Sequence, residues 1–249
     1  MTAVLAIDAG NTRVKWGVYD NGARIDGARI GGSVVAHDAL AQIFAQPVPA
    51  QVIASNVAGA HVAALLHEQC AIAGAVLHVV ASRASQCGVT SSYRDPAQLG
   101  TDRWAALIGA AQLTAGAKLV VMAGTATTVD ALTADGVFLG GLIVPGVTLM
   151  RTALTRNTAQ LGAAAGRFET FPRSTPNAIM SGAVQASVGA VERMAAALRE
   201  RTGSMPALVL SGGAAPELLP HLSHPPWAAT VREHLVLEGL VAISREVFA

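Results

Sequence analysis

Charge is scarce in this chain. Only 13% of its 249 residues are Asp, Glu, Lys or Arg, where a solvated domain usually carries about 25%. The net charge is +1 and no run of Lys or Arg exists. The basic stripe of a nucleic-acid binder is therefore missing, and so is a basic recognition helix. Two cysteines, Cys70 and Cys87, read as reduced, structural thiols rather than a disulfide framework. The seven histidines form no ligand cluster: His221 and His224 sit in a Pro-rich loop without a third ligand. No apolar stretch reaches the roughly 18 residues needed to span a bilayer. The chain opens directly on a strand that carries Asp8 and Lys15, without a basic leader or cleavage site. These absences argue against a DNA-binding, metal-cluster or membrane protein and lead to the expectation of a soluble, cytoplasmic one.

What is abundant is small and apolar. Hydrophobic residues make up 52% and glycine contributes 25 residues, ample for a core and for close backbone approach in phosphate-holding turns. The length suits one large α/β domain or two lobes of about 120 residues each. The low charge and Ala-rich stretches such as WAALIGAAQL point to a buried subunit interface.

Pattern along the chain alternates strand and helix. VLAIDAGNTRVKWGVYD reads as two strands joined by a Gly-Asn-Thr turn, followed by a hairpin signal at Asp20-Asn21-Gly22. A helix is expected over about 37–46, a strand at QVIASNV, a helix at HVAALLHEQCAIA and a strand at AVLHVVA. Residues 82–100 read as irregular and polar. A helix over about 101–113 follows, with Thr101 as its possible N-cap. KLVVMAGTATTVDALTADGVFLGG then repeats the N-terminal plan of strand, small-residue turn, strand and hairpin turn, the last at Ala134-Asp135-Gly136. Superposing the halves sets Asp8-Ala9-Gly10-Asn11-Thr12 beside Met122-Ala123-Gly124-Thr125-Ala126. The repeat implies two similar lobes, 1–115 and 116–249, and the cleft between such lobes is the natural ligand site. GGLIVPG reads as a bend, then come a helix over about 147–161, a loop over 162–174, a long helix over about 176–201 with Thr175 as N-cap and Pro176 in its first turn, a strand at ALVLSGG and a closing helix over about 235–248.

Four stretches can carry chemistry. In Asp8-Ala9-Gly10-Asn11-Thr12 with Lys15, glycine lets backbone N–H groups approach an anion, Asn and Thr add donors, Lys adds charge, and Asp8 can hold a hydrated Mg²⁺. DxGxT also forms ordinary turns. Gly124-Thr125-Ala126-Thr127-Thr128 is its partner, and two such turns facing each other would grip the β- and γ-phosphates. Ser211-Gly212-Gly213 ends a strand where a flat ring or ribose can rest on backbone. Tyr93 with Gly100-Thr101-Asp102-Arg103 is the fourth: Asp102 suits a helix N-terminus on structural grounds alone, or serves as a base for a substrate hydroxyl, with the Arg103 fork holding a carboxylate or phosphate.

In order, DAGNT, Tyr93 with GTDR, GTATTVD, GGLIVPG, TPNAIMSG and LVLSGG resemble the motifs of type III pantothenate kinases over nearly the whole chain. The resemblance implies an α/β fold of two ribonuclease H-like lobes, as in actin and hexokinase, with a nucleotide cleft between them. It implies transfer of phosphate from ATP to pantothenate, the first step of coenzyme A synthesis, by a homodimer. Carried over by motif, residues Asp8, Ala9, Gly10, Asn11, Thr12, Arg13, Val14 and Lys15 form the first phosphate loop, with Asp8 at Mg²⁺. Thr125, Gly212 and Gly213 touch ATP. Tyr93, Gly100, Thr101, Asp102, Arg103 and Thr175 contact pantothenate, with Asp102 as proton acceptor. The family's second loop begins with an Asp that binds K⁺ or NH₄⁺; here that position is Met122, a poor ligand for a hard cation. The rival functions are a kinase of the same superfamily acting on another small alcohol, and a non-catalytic regulator of the Bvg accessory factor type.

Overall fold

A computed structural model describes residues 3–20, 23–24, 31–33, 36–113, 115–157, 166–222 and 229–249. The chain forms two compact units, Met1–Thr114 with His234–Ala249, and Ala115–Glu233. The expected turn residues Asn21 and Gly22, the C-terminal end of the helix expected to Leu161, and His224 lie outside the described residues.

The first unit starts with a hairpin of β1 (Val4–Ala9) and β2 (Val14–Asp20), whose register sets Asp8 opposite Lys15. Short strands β3 (Ala23–Arg24) and β4 (Gly31–Ser33) both pair with β2. After α1 (Ala36–Phe44), β5 (Gln51–Asn56) runs parallel to β1 and sets Ser55 beside Asp8. After α2 (Ala60–Ala73), β6 (Val76–Val79) adds outside β5, giving the order β3-β2-β1-β5-β6. The apolar run VLAIDA is explained by its central place, where both faces are buried. Leu5, Ile7 and Ala9 meet Leu40, Ile43, Val62 and Leu66 of α1 and α2 in one core. Asp8 points to the opposite face, because side chains alternate along a strand.

Residues 82–100, expected to be irregular, contain a small hairpin of β7 (Ser85–Gln86) and β8 (Val89–Ser91). Its two turn residues, Cys87 and Gly88, have φ of 49° and 78°, the signature of a type I′ turn that matches strand twist. Cysteine seldom takes that conformation, so no local signal marks the turn. Asp95 caps a short 3₁₀ turn at Pro96–Gln98, its Oδ1 accepting the Ala97 N–H at 3.0 Å. Helix α3 (Thr101–Ala111) begins one residue past its cap: Gly100, not Thr101, holds the N-cap position.

The second unit repeats the plan. β9 (Lys118–Ala123) and β10 (Ala126–Leu132) form a hairpin, and β11 (Val137–Pro145) pairs with β10. GGLIVPG is thus not a bend. Its first six residues continue β11, and a register shift near Gly140 absorbs the irregularity that the glycines signal. Helices α4 (Val147–Asn157) and α5 (Thr175–Thr202) follow. Ser174, rather than Thr175, is the N-cap of α5, with Pro176 in its first turn, and Gly203 closes the helix in the left-handed conformation. β12 (Ala207–Ser211) runs parallel to β9, followed by the short α6 (Ala215–Leu218) and β13 (Ala229–Val231) parallel to β12. Within this unit the order is β13-β12-β9-β10-β11: as in the first unit, the opening strand is central, flanked by its hairpin on one side and two parallel strands on the other. Leu119, Val121, Leu208 and Leu210 pack on Val184, Val188 and Val191 of α5. His221 stacks on Phe168, ring centroids 3.8 Å apart.

The last helix, α7 (Leu235–Val247), belongs to the first unit and not, as the half-chain division expected, to the second. The reason is its fit to α3. A Cβ on Gly239 would lie 1.8 Å from the Ala105 carbonyl oxygen, and one on Gly109 would lie 2.6 Å from that of Leu235, so only glycines let these helices touch backbone to backbone. Helices α3 and α7 approach β1 and β5 yet supply no member of the α1–α2 core. They cover the sheet's other face, the one that carries Asp8.

Candidate active site

Asp8 sits at the end of β1 in a row formed with Lys15 on one side and Ser55 on the other. Its Oδ1 is shut off from solvent and accepts no hydrogen bond. Burial, then the charge of Asp102, push its pKa up to about 7, against the pull of Lys15. A carboxylate that is buried, unsatisfied and beside a second carboxylate is stabilised by a bound cation. The turn that follows is closed by the Gly10 N–H donating to the Arg13 carbonyl at 3.0 Å and exposes Asn11, Thr12 and Arg13. Ala9 and Val14, expected in the phosphate loop, have their side chains in the hydrophobic core, leaving only backbone to meet a ligand.

The start of α3 brings the second carboxylate to the same face. Gly100 lies close to it: a Cβ there would be 2.6 Å from the Asp102 Oδ1 and would turn that carboxylate aside. That oxygen accepts the Arg103 N–H at 2.8 Å. Thr101 and Ser55 share a hydrogen bond of 2.9 Å between their hydroxyls, and the buried Ser82 hydroxyl donates to the Leu99 carbonyl at 2.8 Å. Arg103 is buried; its Nη1 donates to the Tyr93 hydroxyl at 3.3 Å, and its guanidinium carbon lies 6.0 Å from the Tyr93 ring centroid. The structure therefore gathers Asp8, Lys15, Thr101, Asp102, Arg103 and Tyr93 in one unit, and adds Ser55 and Ser82, which sequence reasoning passed over. The signal for Ser55 was faint: a polar pair, Ser-Asn, ending an apolar strand.

In the second unit the turn at Gly124 and Thr125 follows β9. The Gly124 N–H donates to the Ala126 carbonyl at 3.0 Å and the Gly146 N–H to the Thr125 carbonyl at 2.8 Å, and Thr125 is exposed. Gly212 has φ of 100°, and a Cβ there would lie 2.2 Å from the Ala123 carbonyl oxygen. That oxygen accepts the Ala214 N–H at 3.0 Å, just as the Ala9 oxygen accepts the Val57 N–H at 3.0 Å in the first unit. Gly212 and Gly213 thus sit next to the end of β9, in the second unit with Thr125. Thr175 opens α5, exposed. The row equivalent to Lys15, Asp8 and Ser55 is Thr128, Met122 and Ser211. Thr128 Oγ1 and Ser211 Oγ are buried without partners.

Residues 4–197 match the family model described as Type III pantothenate kinase. The chain belongs to the type III pantothenate kinases. A relative of that name from Nitrosospira multiformis is 46% identical over 243 residues, covering 98% of this chain and 91% of the relative. A Campylobacter jejuni structure described as a Baf family transcriptional activator superposes with a TM-score of 0.62 at 19% identity, over 98% of each chain. A glucokinase from an Antarctic psychrotroph gives 0.52 at 12%, over 99% of each. At those identities the likeness speaks for the fold alone, and that fold is the expected actin/hexokinase-like α/β architecture.

Membership of a type III pantothenate kinase family implies ATP and a divalent metal. Asp8, with its unpartnered oxygen, fits a divalent cation. No cluster of three or more His, Cys, Asp or Glu that could hold a metal occurs among the described residues. A monovalent cation does not fit the second row, whose centre is the Met122 thioether.

Proposed function

We propose that Asp102 is the proton acceptor and Asp8 the metal-organising carboxylate in an in-line transfer of the γ-phosphoryl group of ATP to the primary hydroxyl of pantothenate. As a type III pantothenate kinase, the chain phosphorylates pantothenate at the expense of ATP, the first step of coenzyme A synthesis. What carries the assignment of roles is the placement of two carboxylates on one face, close enough that the charge of one raises the pKa of the other.

Phosphoryl transfer depends on positioning and charge neutralisation more than on covalent help from the protein. Bound Mg²⁺ would supply neutralisation of the phosphate oxygens, and Asp8 is the side chain that would hold it, directly or through water. Asp102 takes the hydroxyl proton as the oxygen bonds to phosphorus and ADP departs. Lys15 and the exposed donors of the Gly10–Arg13 turn offer positive charge and N–H groups to the phosphate tail. Arg103, steadied by Tyr93, is suited to the pantothenate carboxylate. Thr125, Gly212 and Gly213 are assigned to ATP and Thr175 to pantothenate on the family motifs.

Turnover of ATP and pantothenate by the Asp102→Asn variant tests the assignment. A fall in kcat of roughly 10²–10⁴, the range for a general base, with an unchanged fold is expected; near-normal kcat removes Asp102 from the role.

The family motifs also point to a homodimer, and the exposed Leu142 and Ile143 on β11 and Leu149 and Leu154 on α4 favour a covered surface. Light scattering should give twice 25.3 kDa; a monomer mass rejects it. No helix among the described residues is long and apolar enough to cross a membrane. The place of action proposed is the cytoplasm, which fractionation of cells expressing the protein checks.

A further inference from the structure

We propose that the Ser55 hydroxyl is a positioning group for the reaction: through its hydrogen bond to Thr101 it fixes the first turn of α3, and with it the Asp102 carboxylate, against the strand pair that carries Asp8. The inference rests on the assignment of Asp102 as base.

Ser55 is fully buried in the interior of the sheet, the register neighbour of Asp8. Its neighbours on the two strands are alanines and aliphatics such as Ala6, Ile53 and Ala54. An alanine would fill that place without a polar group to satisfy, and a neutral hydrogen bond adds little net stability once desolvation is counted. The hydroxyl is satisfied by one partner 46 residues away, the Thr101 hydroxyl at 2.9 Å. What the bond adds is a fixed distance between β5 and the residue immediately before Asp102.

Asp102 depends on that distance. Its Oδ1 bonds to the next N–H of its own chain, so the carboxylate is aimed by the backbone of the first helical turn and moves with it. Side-chain bonds tether that turn: Ser82 to the Leu99 carbonyl on one side of Gly100, and Ser55 to Thr101 and Tyr93 to Arg103 on the other. Misplacement of a reacting group by about 1 Å can cost on the order of 10²-fold in rate, so loss of one of these tethers is expected to cost less, about tenfold.

The experiment is a double-mutant cycle in the full chain, with Ser55→Ala, Thr101→Val and both together. Ser55→Ala should lower kcat about tenfold while both KM values stay within about threefold, Thr101→Val should lower kcat by a similar factor, and the double variant should have a kcat no worse than the weaker single, because both remove one bond. Thr101→Ser should recover most of what Thr101→Val loses. If Ser55→Ala does not fold, the Thr101→Val and Thr101→Ser pair reads the same bond from its less buried end. Unchanged kcat in both singles, additive losses in the double, or a loss confined to KM overturns the proposal. Asp102→Asn separates the layers. Near-normal kcat there overturns the base assignment and this proposal together; a large loss there with none in Ser55→Ala overturns this proposal alone.

Discussion

At neutral pH the Asp8 carboxyl of the ligand-free protein is only about half ionised, because burial and the nearby Asp102 raise its pKa from 3.8 to about 7. The native state then holds a proton that the unfolded chain releases. Stability conferred by this group is whole below about pH 4, declines as pH rises from about 4 to 7, and is flat above that. The full shift corresponds to at most about 4 kcal/mol. Asp8→Asn should therefore raise the urea midpoint relative to the parent protein at pH 8, leave it nearly unchanged at pH 4.5, and abolish turnover. An Asp8→Asn protein less stable than its parent at pH 8 would show that Lys15 or another partner more than offsets the burial. The candidacy of Asp8 was legible in DAGNT, since a carboxylate before a glycine turn is a local pattern. Ser55 was not legible, because its meaning lies in a register with β1 and in a bond to a residue 46 positions on, neither of which a local pattern contains.

At the scale of elements, most strands and helices were readable from periodicity, and the failures share a cause. The Cys87-Gly88 turn and the strand through GGLIVP both put residues where their usual preferences point elsewhere, and tertiary pairing decided the outcome. The α3–α7 contact is the clearest case. Ala-rich WAALIGAAQL pointed to a subunit interface; Gly109 and Gly239 show instead that this helix packs against α7 of its own unit. Helix α3 carries Asp102 in its first turn, so this crossing matters to the site as well as to stability. Gly239→Ala would drive a methyl into the Ala105 carbonyl, and backbone cannot yield as a side-chain tip does. Overpacking of this kind typically costs about 1–3 kcal/mol. The thermal midpoint should fall by several degrees, as follows for a unit of this size, and kcat should fall with it. A Gly239→Ala protein with an unaltered midpoint would mean that the helices separate without cost.

For the molecule as a whole, the two units are variations on one plan with different charge at the same place. The repeat of hairpin and parallel strands was visible in the sequence; the exchange of α7 across the halves was not, because nothing in residues 234–249 names their partner. The row Lys15, Asp8 and Ser55 answers to Thr128, Met122 and Ser211. In one unit the centre is a carboxylate with an unsatisfied oxygen; in the other it is a thioether between two unsatisfied hydroxyls. A hard monovalent cation asks for oxygen ligands, best with one that is charged, and the second row offers no carboxylate at its centre. This kinase should turn over at the same rate, within about twofold, in Tris buffer with or without K⁺, while Met122→Asp should make the rate respond to K⁺. Strong activation of the unaltered protein by K⁺ would mean that the two hydroxyls and nearby carbonyls suffice as ligands, and that charge at the centre of this row is dispensable.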